Sequence, residues 1–160
     1  MTTAPTRPAI LTPEQRRVAA QLVYGMPNVA IARKVSLSVD GVASHLSSAR
    51  RRLGCPGSSR AVLVHALLTA REVPPPASLT PAPDLTEIER KTICAIAEHT
   101  RNADIGNVIG VSPDDVRAEI DAVIVKAAAD SAAHLIGLAH TWGILGDTTS
   151  RSASSTAGPV

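Results

Sequence analysis

The chain has 160 residues, which is enough for one ordinary domain or two small ones. Hydrophobic residues make up 44% of it and aromatic residues only 1%, so the core has to be aliphatic, and this favours small helical bundles over large β-sandwiches. Two cysteines exclude a disulfide scaffold, and no apolar segment approaches the ~18 residues that span a bilayer. We expect a cytoplasmic protein without a membrane-spanning segment.

The first helix is predicted to follow a short N-terminal arm. Residues 1–10 hold no apolar stretch of the kind found in a signal peptide, and we expect them to be flexible. Thr12 then suits the position before a helix, and Gln15 three residues later completes a capping-box pattern. Gly25 and a nearby proline are expected to end this helix.

Three more helices are expected next. Asn28 is expected to cap a short second helix, Ser38 a third and Ser59 a fourth, while Gly54 suits the turn that ends the third. The apolar face of the third helix has three- and four-residue spacing and consists of Val42, Leu46, Ala49 and Leu53. The predicted second helix is short, and a tight turn joins it to the longer, basic third helix. Two helices arranged in this way form a helix-turn-helix. Residues 11–72 are therefore predicted to be a basic helix-turn-helix domain.

Prolines separate this domain from a second segment. Residues 73–84 read VPPPASLTPAPD and predict a stiff, polyproline-like linker. Residues 85–146 align with the first domain without a gap when Leu11 is placed on Leu85, and Thr86, Asn102 and Ser112 then stand at the expected helix starts. We interpret the two segments as a tandem duplication of a four-helix domain. The small, polar residues 147–160 are expected to be disordered.

The first segment resembles a known family. LTPEQRRVAAQLVYGMPNVAIARKVSLSVDGVASHLSSARRRLG, followed by SSRAVLVHAL, is similar to the LuxR-type (GerE-like) helix-turn-helix, which typically has an opening L-T, then G-x-S-N-K-E-I-A, S-x-x-T-V-K-x-H and R-K-L-G. The matching residues are Leu11, Thr12, Gly25, Asn28, Ile31, Ala32, Ser38, Val42, His45, Leu53 and Gly54. The resemblance implies that the third helix enters the DNA major groove and that the fourth forms a dimer contact. The predicted fold is all-α, with two tandem four-helix LuxR-type helix-turn-helix domains, the second degenerate, joined by a Pro-rich linker.

Candidate DNA contacts follow from this resemblance and from the basic side chains. Phosphate contact is expected from Arg33 and Lys34 on the second helix and from Arg50, Arg51 and Arg52 at the end of the third. Base-edge contact is expected from the exposed positions of the third helix, which are Asp40, Ala43, Ser44, His45, Ser47 and Ser48. The family's Lys and Thr on this helix are Ala43 and Gly41 here, and its Lys-Glu on the second helix is Val29-Ala30. No Arg, Asn or Gln stands where bidentate reading of a base is strongest.

Charge separates the two halves of the chain. Residues 11–73 contain nine Lys or Arg against three Asp or Glu, a net charge of +6. Residues 85–147 contain five Lys or Arg against ten Asp or Glu, a net charge of −5. The small total of +2 hides this asymmetry, and double-stranded DNA is expected to bind through the first half alone.

The helix that opens at Ser112 has the start signals of a DNA-reading helix, with Pro113 at its first position and Asp115 as a capping acid. Its exposed face is acidic, however, and carries Asp114, Asp115, Glu119 and Asp121. Three interpretations stay open: a solvated face on a copy kept for packing, a pseudo-dimer, or a DNA-mimicking face that covers a basic surface of the first copy or of a protein partner. In the pseudo-dimer, or in a homodimer, the interface would consist of Val62, Leu63, Ala66, Leu67, Leu135, Ile136, Leu138 and Trp142.

An enzyme is not expected, since the sequence holds no Gly-rich phosphate loop, no nucleophile elbow and no metal-ligand spacing, and it implies no catalytic residue, metal or cofactor. The leading hypothesis is a bacterial transcription regulator that binds DNA through its first helix-turn-helix. The alternative is a protein-binding adaptor or anti-regulator, acting on another regulator or on RNA polymerase. Ala43, Gly41 and Val29 favour the adaptor, and the charge of the first half opposes it.

Overall fold

The structure, a computed structural model, describes residues 10–78 and 80–145. Nearly all of the predicted N-terminal arm and the whole predicted tail, residues 147–160, lie outside these ranges. Within the described ranges the chain forms eight α-helices and no strand. The helices are α1 (Pro13–Leu22), α2 (Asn28–Val35), α3 (Val39–Arg52), α4 (Arg60–Thr69), α5 (Glu87–Glu98), α6 (Asn102–Ile109), α7 (Pro113–Lys126) and α8 (Ala132–Thr141). None of these helices is both long enough and apolar enough to cross a membrane.

Side-chain caps fix most of the helix starts. Thr12 and Gln15 form the predicted capping box, since Thr12 Oγ1 accepts the Gln15 N–H at 3.2 Å and Gln15 Oε1 accepts the Thr12 N–H at 3.1 Å. Thr86 and Glu89 repeat this arrangement at the start of α5. Ser38 caps α3, where its hydroxyl accepts the Gly41 N–H, and Ser59 caps α4 in the same way. These predictions are confirmed.

Two predicted caps are wrong, and a third is confirmed in its position but not in its hydrogen bond. Asn28 is the first residue of α2 and caps nothing, because its amide oxygen accepts a hydrogen bond from the Arg60 guanidinium at 2.7 Å. Asn102 is likewise the first residue of its helix, α6, and not its cap. The N-cap residue is Arg101, and no side chain caps this helix. Ser112 occupies the N-cap position of α7, but its hydroxyl donates to Asp115 Oδ2 at 3.0 Å and accepts no backbone N–H. A nearby charged group has replaced the backbone as the partner of Asn28 and of Ser112.

The helix boundaries repeat along the chain with one interruption. When Leu11 is placed on Leu85, the first residues of α1, α2 and α3 fall on the first residues of α5, α6 and α7. The start of α4 falls on His134 instead, inside α8, so the gapless alignment is wrong at the fourth helix. The connection before α8 is shorter than the connection before α4. With this gap allowed for, Leu63 aligns with Leu135 and Val64 with Ile136, and all four side chains are fully buried.

One apolar core runs through both halves. It contains Leu22 and Leu46 from the first half, Ile93 and Leu135 from the second, and buried residues of all eight helices. The most extensive contact between any two of these helices joins α4 to α8. The two four-helix units are thus packed together. As a result, α4 does not expose an apolar face to solvent.

The described residues of the predicted linker form no helix or strand, and they pack against the second half. Val73 and Pro76 are buried, and the Pro76 carbonyl oxygen accepts a hydrogen bond from Thr141 Oγ1 at 2.6 Å. The Trp142 indole N–H donates to the Thr80 carbonyl oxygen at 3.2 Å. The linker therefore lies along the end of α8 instead of only spanning the gap between the halves.

Candidate nucleic-acid interface

Helices α2 and α3 form the helix-turn-helix of the first half. Ser36 ends α2 in the left-handed conformation, at φ 59°, and the Leu37 N–H donates to the Ala32 carbonyl oxygen at 3.0 Å. The chain therefore turns sharply, and Ser38 starts α3 two residues later. Val42, Leu46 and Ala49 bury one face of α3, which leaves the opposite face in solvent.

The solvent face of α3 carries short side chains. Asp40, Ser44, Ser47 and Arg51 are exposed and stand three or four residues apart, so they share one stripe of the helix. Ala43 is exposed beside this stripe, and His45 and Ser48 are half-buried at its edge. We call this set of residues the α3 face. Apart from Asp40, His45 and Arg51, this face consists of short serine and alanine side chains, which allow the helix backbone to approach a groove closely.

Basic side chains lie at both ends of the α3 face. Arg33 and Lys34 are exposed in the last turn of α2, and neither makes a hydrogen bond or ion pair with any described residue. Lys34 also lines a shallow cavity of about 340 Å³ together with Arg17, Gln21, Val35 and Ser36. No carboxylate lines this cavity, so an anion placed there would meet an uncompensated cation.

The three arginines at the end of α3 do not act alike. Arg51 is exposed, and among the described residues its guanidinium donates a hydrogen bond only to Ser48 Oγ of its own helix, at 3.2 Å. Arg52 is exposed and donates to the Ile10 carbonyl oxygen at 3.0 Å. Arg50 is half-buried, and its Nε donates to the Ser58 carbonyl oxygen at 2.8 Å, which braces the connection before α4. Burial lowers the pKa of Arg50 below its ordinary value.

Arg60 has a structural role that the sequence did not reveal. Its guanidinium donates to the Met26 carbonyl oxygen and to Asn28 Oδ1, so it ties the start of α4 to the start of α2. Burial is the main cause of its lowered pKa, and the positive charge of Arg50 adds to the effect. The pair Asn28 and Arg60 is separated by 32 residues, and no local pattern links the two positions.

Two further basic residues of the first half are held internally. The Arg16 guanidinium pairs with Glu72 at 3.2 Å, and the Arg17 guanidinium donates to the Val35 carbonyl oxygen at 2.6 Å and pairs with Glu14 at 3.3 Å. The cations around the α3 face that are exposed and make no ion pair with a described residue are therefore Arg33, Lys34, Arg51 and Arg52. We refer to these four residues as the α3 cations.

Helix α7 stands where α3 stands in the first half, but its solvent face differs. Asp114, Asp115 and Asp121 are exposed, Glu119 is half-buried, and Arg117 pairs with Asp121 at 3.2 Å. We call these four acids the α7 face. In the alignment that places α3 on α7, Lys34 corresponds to Val108, which is 46% exposed, and Arg51 corresponds to Val125, which is 78% exposed. Two of the α3 cations thus have apolar counterparts in the second half.

The residues predicted to join the two halves lie at or near the contact between α4 and α8. Leu63, Leu67, Leu135 and Ile136 are fully buried, and Leu138 is nearly so. Val62, Ala66 and Trp142 are half-buried, with Trp142 turned to the linker through its indole N–H. The contact also contains two histidines that no sequence pattern singled out: His65 Nδ1 lies 2.9 Å from His140 Nε2.

Comparison with known proteins finds a family match for most of the first half. Residues 9–67 match the model of a family described as bacterial regulatory proteins, luxR family (GerE). The match covers α1, α2, α3 and most of α4, so the LuxR-type resemblance is confirmed for one helix-turn-helix, and it supports a DNA-binding transcription regulator in general. The matched region does not extend to the second half, and a tandem copy stays a prediction. No curated protein and no solved structure matches the chain.

Proposed function

We propose that the protein is a DNA-binding transcription regulator that contacts double-stranded DNA through the α3 face. The observation that carries this proposal is the position of the α3 cations, which flank a solvent-facing helix of small side chains inside the LuxR-type region. The small side chains let α3 enter the major groove, while the cations meet phosphates on either side. Arg50 is left out of this contact because its Nε is bonded to the Ser58 carbonyl oxygen.

Binding of this kind depends more on the DNA backbone than on base sequence. Ser44 and Ser47 can donate to or accept from a base edge, and Arg51, near the end of the helix, is the one side chain of the α3 face that can pair in a bidentate way with guanine. Asp40 is repelled by phosphates and accepts hydrogen bonds only from a donor such as the cytosine amino group. We therefore expect modest sequence discrimination together with strong salt dependence.

The second half is proposed to act as a built-in partner of the first. The resemblance assigns the dimer contact to the fourth helix, and α8 covers the α4 surface that a second chain would otherwise use. The α7 face repels DNA, so it supplies no second half-site. The full chain is accordingly expected to sediment with the mass of one chain, and a stable dimer at micromolar concentration would contradict this arrangement.

The proposed function is tested by fluorescence anisotropy of the full chain with a labelled promoter duplex over a salt series. Four phosphate contacts predict that log K falls with log salt at a slope of about −3 to −4. Competition with unlabelled random-sequence duplex measures discrimination between sequences. If the chain does not bind either duplex at low salt, the proposal is wrong.

A second candidate function rests on the exposed valines beside the α7 face. Val125 and Val108 are large apolar side chains in solvent, and exposed apolar residues next to charges are typical of protein-binding surfaces. In this adaptor function the second half binds another regulator or a polymerase subunit. Replacing Val108 and Val125 with Ser should then weaken regulation in the cell without changing DNA affinity. A loss of DNA affinity in that variant would count against the adaptor.

A further inference from the structure

A histidine pair spans the contact between the two halves. His65 lies on α4 and His140 on α8, with His65 Nδ1 2.9 Å from His140 Nε2. The ring centroids are 5.1 Å apart and the ring planes are tilted by 43°. At this distance one ring donates an N–H to the lone pair of the other, which requires at least one of the facing nitrogens to be unprotonated.

The surroundings favour the neutral rings. Both histidines are half-buried between the two helices, and burial is the main cause that lowers the pKa of each. For His140 the neighbouring His65 lowers the pKa further, to about 4. Glu98 at the end of α5 acts in the opposite sense on His65, because its negative charge favours the imidazolium.

Charged groups on the other helices packed against the pair are largely engaged elsewhere. On α1, Arg16 pairs with Glu72 and Arg17 with Glu14, and on α7, Arg117 pairs with Asp121 and Lys126 with Glu89 of α5. On α8 itself, His134 faces Asp130 at 3.7 Å, near the opposite end of the helix. The partner ring and Glu98 are therefore the groups that act on the pair.

Proton counting gives the pair a two-step response. A first proton leaves an imidazolium that still donates to the neutral ring, so the contact survives. A second proton puts an N–H on both facing nitrogens, which removes the acceptor and places two positive rings side by side. The hydrogen bond is then lost and the two charges repel across the α4–α8 contact.

We propose that His65 and His140 form an acid-released latch that fixes the two halves to each other at neutral pH and lets them separate once both rings are protonated. The latch is independent of the DNA-binding proposal, because it concerns only the contact between α4 and α8. Leu63 on α4 and Leu135 on α8 are fully buried in the core and contribute apolar packing in the closed arrangement. The switch consists of a charge change at an interface with two arrangements, closed and open.

Nuclear magnetic resonance on the full chain tests this latch. Imidazole shifts of His65 and His140 and nuclear Overhauser effects (NOEs) between α4 and α8 are followed from about pH 7 to about pH 3, below the pKa of both rings. We expect coupled titration of the two rings, followed by loss of the α4–α8 NOEs while NOEs within each half persist. The His140→Gln variant should leave His65 with a single titration that is no longer coupled to a second ring, and its α4–α8 NOEs should survive at a pH where those of the wild type are lost.

The His99→Gln variant serves as the matched control, since His99 is half-buried and lies outside the pair. It should keep the coupled titration and the acid-induced loss of α4–α8 NOEs. The latch is refuted if His65 titrates identically with and without His140, or if the α4–α8 NOEs of the wild type persist after both rings are protonated. Simultaneous loss of NOEs between and within the halves would also refute it. Should the His140→Gln variant fail to fold, the wild-type titration alone decides between these outcomes.

Discussion

Gly137 of α8 lies directly against the carbonyl oxygen of Val23 at the end of α1. A Cβ atom at position 137 would stand 2.7 Å from that oxygen and 3.0 Å from the Cγ atom of Pro76. The absence of a side chain thus lets α8 approach both the first half and the linker. A side chain at position 137 would not be accommodated easily, because a backbone oxygen has little freedom to move away.

The Gly137→Ala variant should lower the free energy of unfolding. Alanine gains about 0.5–1 kcal/mol of helix propensity over glycine, but the clash with the Val23 oxygen costs about 1–3 kcal/mol. Urea unfolding followed by circular dichroism measures the difference. Gly41→Ala is the control, because the atoms of other residues near its new Cβ belong to side chains, Ser38 Oγ at 3.0 Å and Leu37 Cβ at 3.9 Å. Equal destabilisation by both variants would contradict the close approach of α8.

Glu72 should be a stabilising carboxylate despite its burial. Its side chain is 6% exposed and accepts hydrogen bonds from the Ile10 N–H and from the Arg16 guanidinium. Glu72→Ala would leave both donors without this acceptor, at a cost of about 1–3 kcal/mol in the free energy of unfolding. Glu14→Ala, which removes the exposed partner of Arg17, should cost only about 0–1 kcal/mol. Thermal unfolding of both variants tests the difference, and a smaller loss for Glu72→Ala would be the contrary result.

Glu89 should remain ionised to an unusually low pH. The hydrogen bond from Lys126 at 2.7 Å is the largest cause that lowers its pKa to about 2 from an ordinary 4.5, and the Thr86 N–H contributes. Because the folded pKa is depressed, the stability that this carboxylate contributes is present above pH 4.5 and is lost as the pH falls towards 2.

Removing Lys126 tests the assignment of that shift. In Lys126→Ala the pKa of Glu89 should rise towards its ordinary value, which a carboxyl-carbon NMR titration detects. Lys91→Ala is the control, since Lys91 pairs with Glu87 at 3.7 Å and should leave the titration of Glu89 unchanged. An unaltered Glu89 pKa in Lys126→Ala would show that the lysine is not the cause.

Local signals in the sequence predicted the secondary structure well. The Thr12–Gln15 and Thr86–Glu89 pairs are capping boxes, and each acts within four residues, so the pattern and its partner are visible together. The apolar spacing of α3 likewise predicted which face is buried, with Val42 and Leu46 in the core. Such features depend on helix geometry alone.

Features that depend on distant partners were missed. Asn28 was predicted to be a cap from its residue type and from its position after Gly25 and a proline. In the structure Arg60 of another helix donates a hydrogen bond to its side chain instead. The three consecutive arginines could not be separated by sequence, since only the fold brings Ser58 to Arg50 and leaves Arg51 in solvent. The His65–His140 contact joins residues 75 positions apart and has no periodic signature. A count of charges therefore did not separate the arginines that bond to backbone carbonyl oxygens of other segments from those whose guanidinium groups lie in solvent.

The central claim is that the α3 cations bind DNA and that the corresponding face of the second half does not. The most direct test compares two double variants of the full chain in anisotropy titrations over a salt series. The first variant carries Lys34→Ala and Arg51→Ala, and the second carries Lys91→Ala and Arg117→Ala. Each variant loses two positive charges. The first variant should bind more weakly, with a salt slope reduced by about two, because two phosphate contacts are lost. The second should bind as the wild type does. Equal losses in both variants, or an unchanged slope in the first, would contradict the claim.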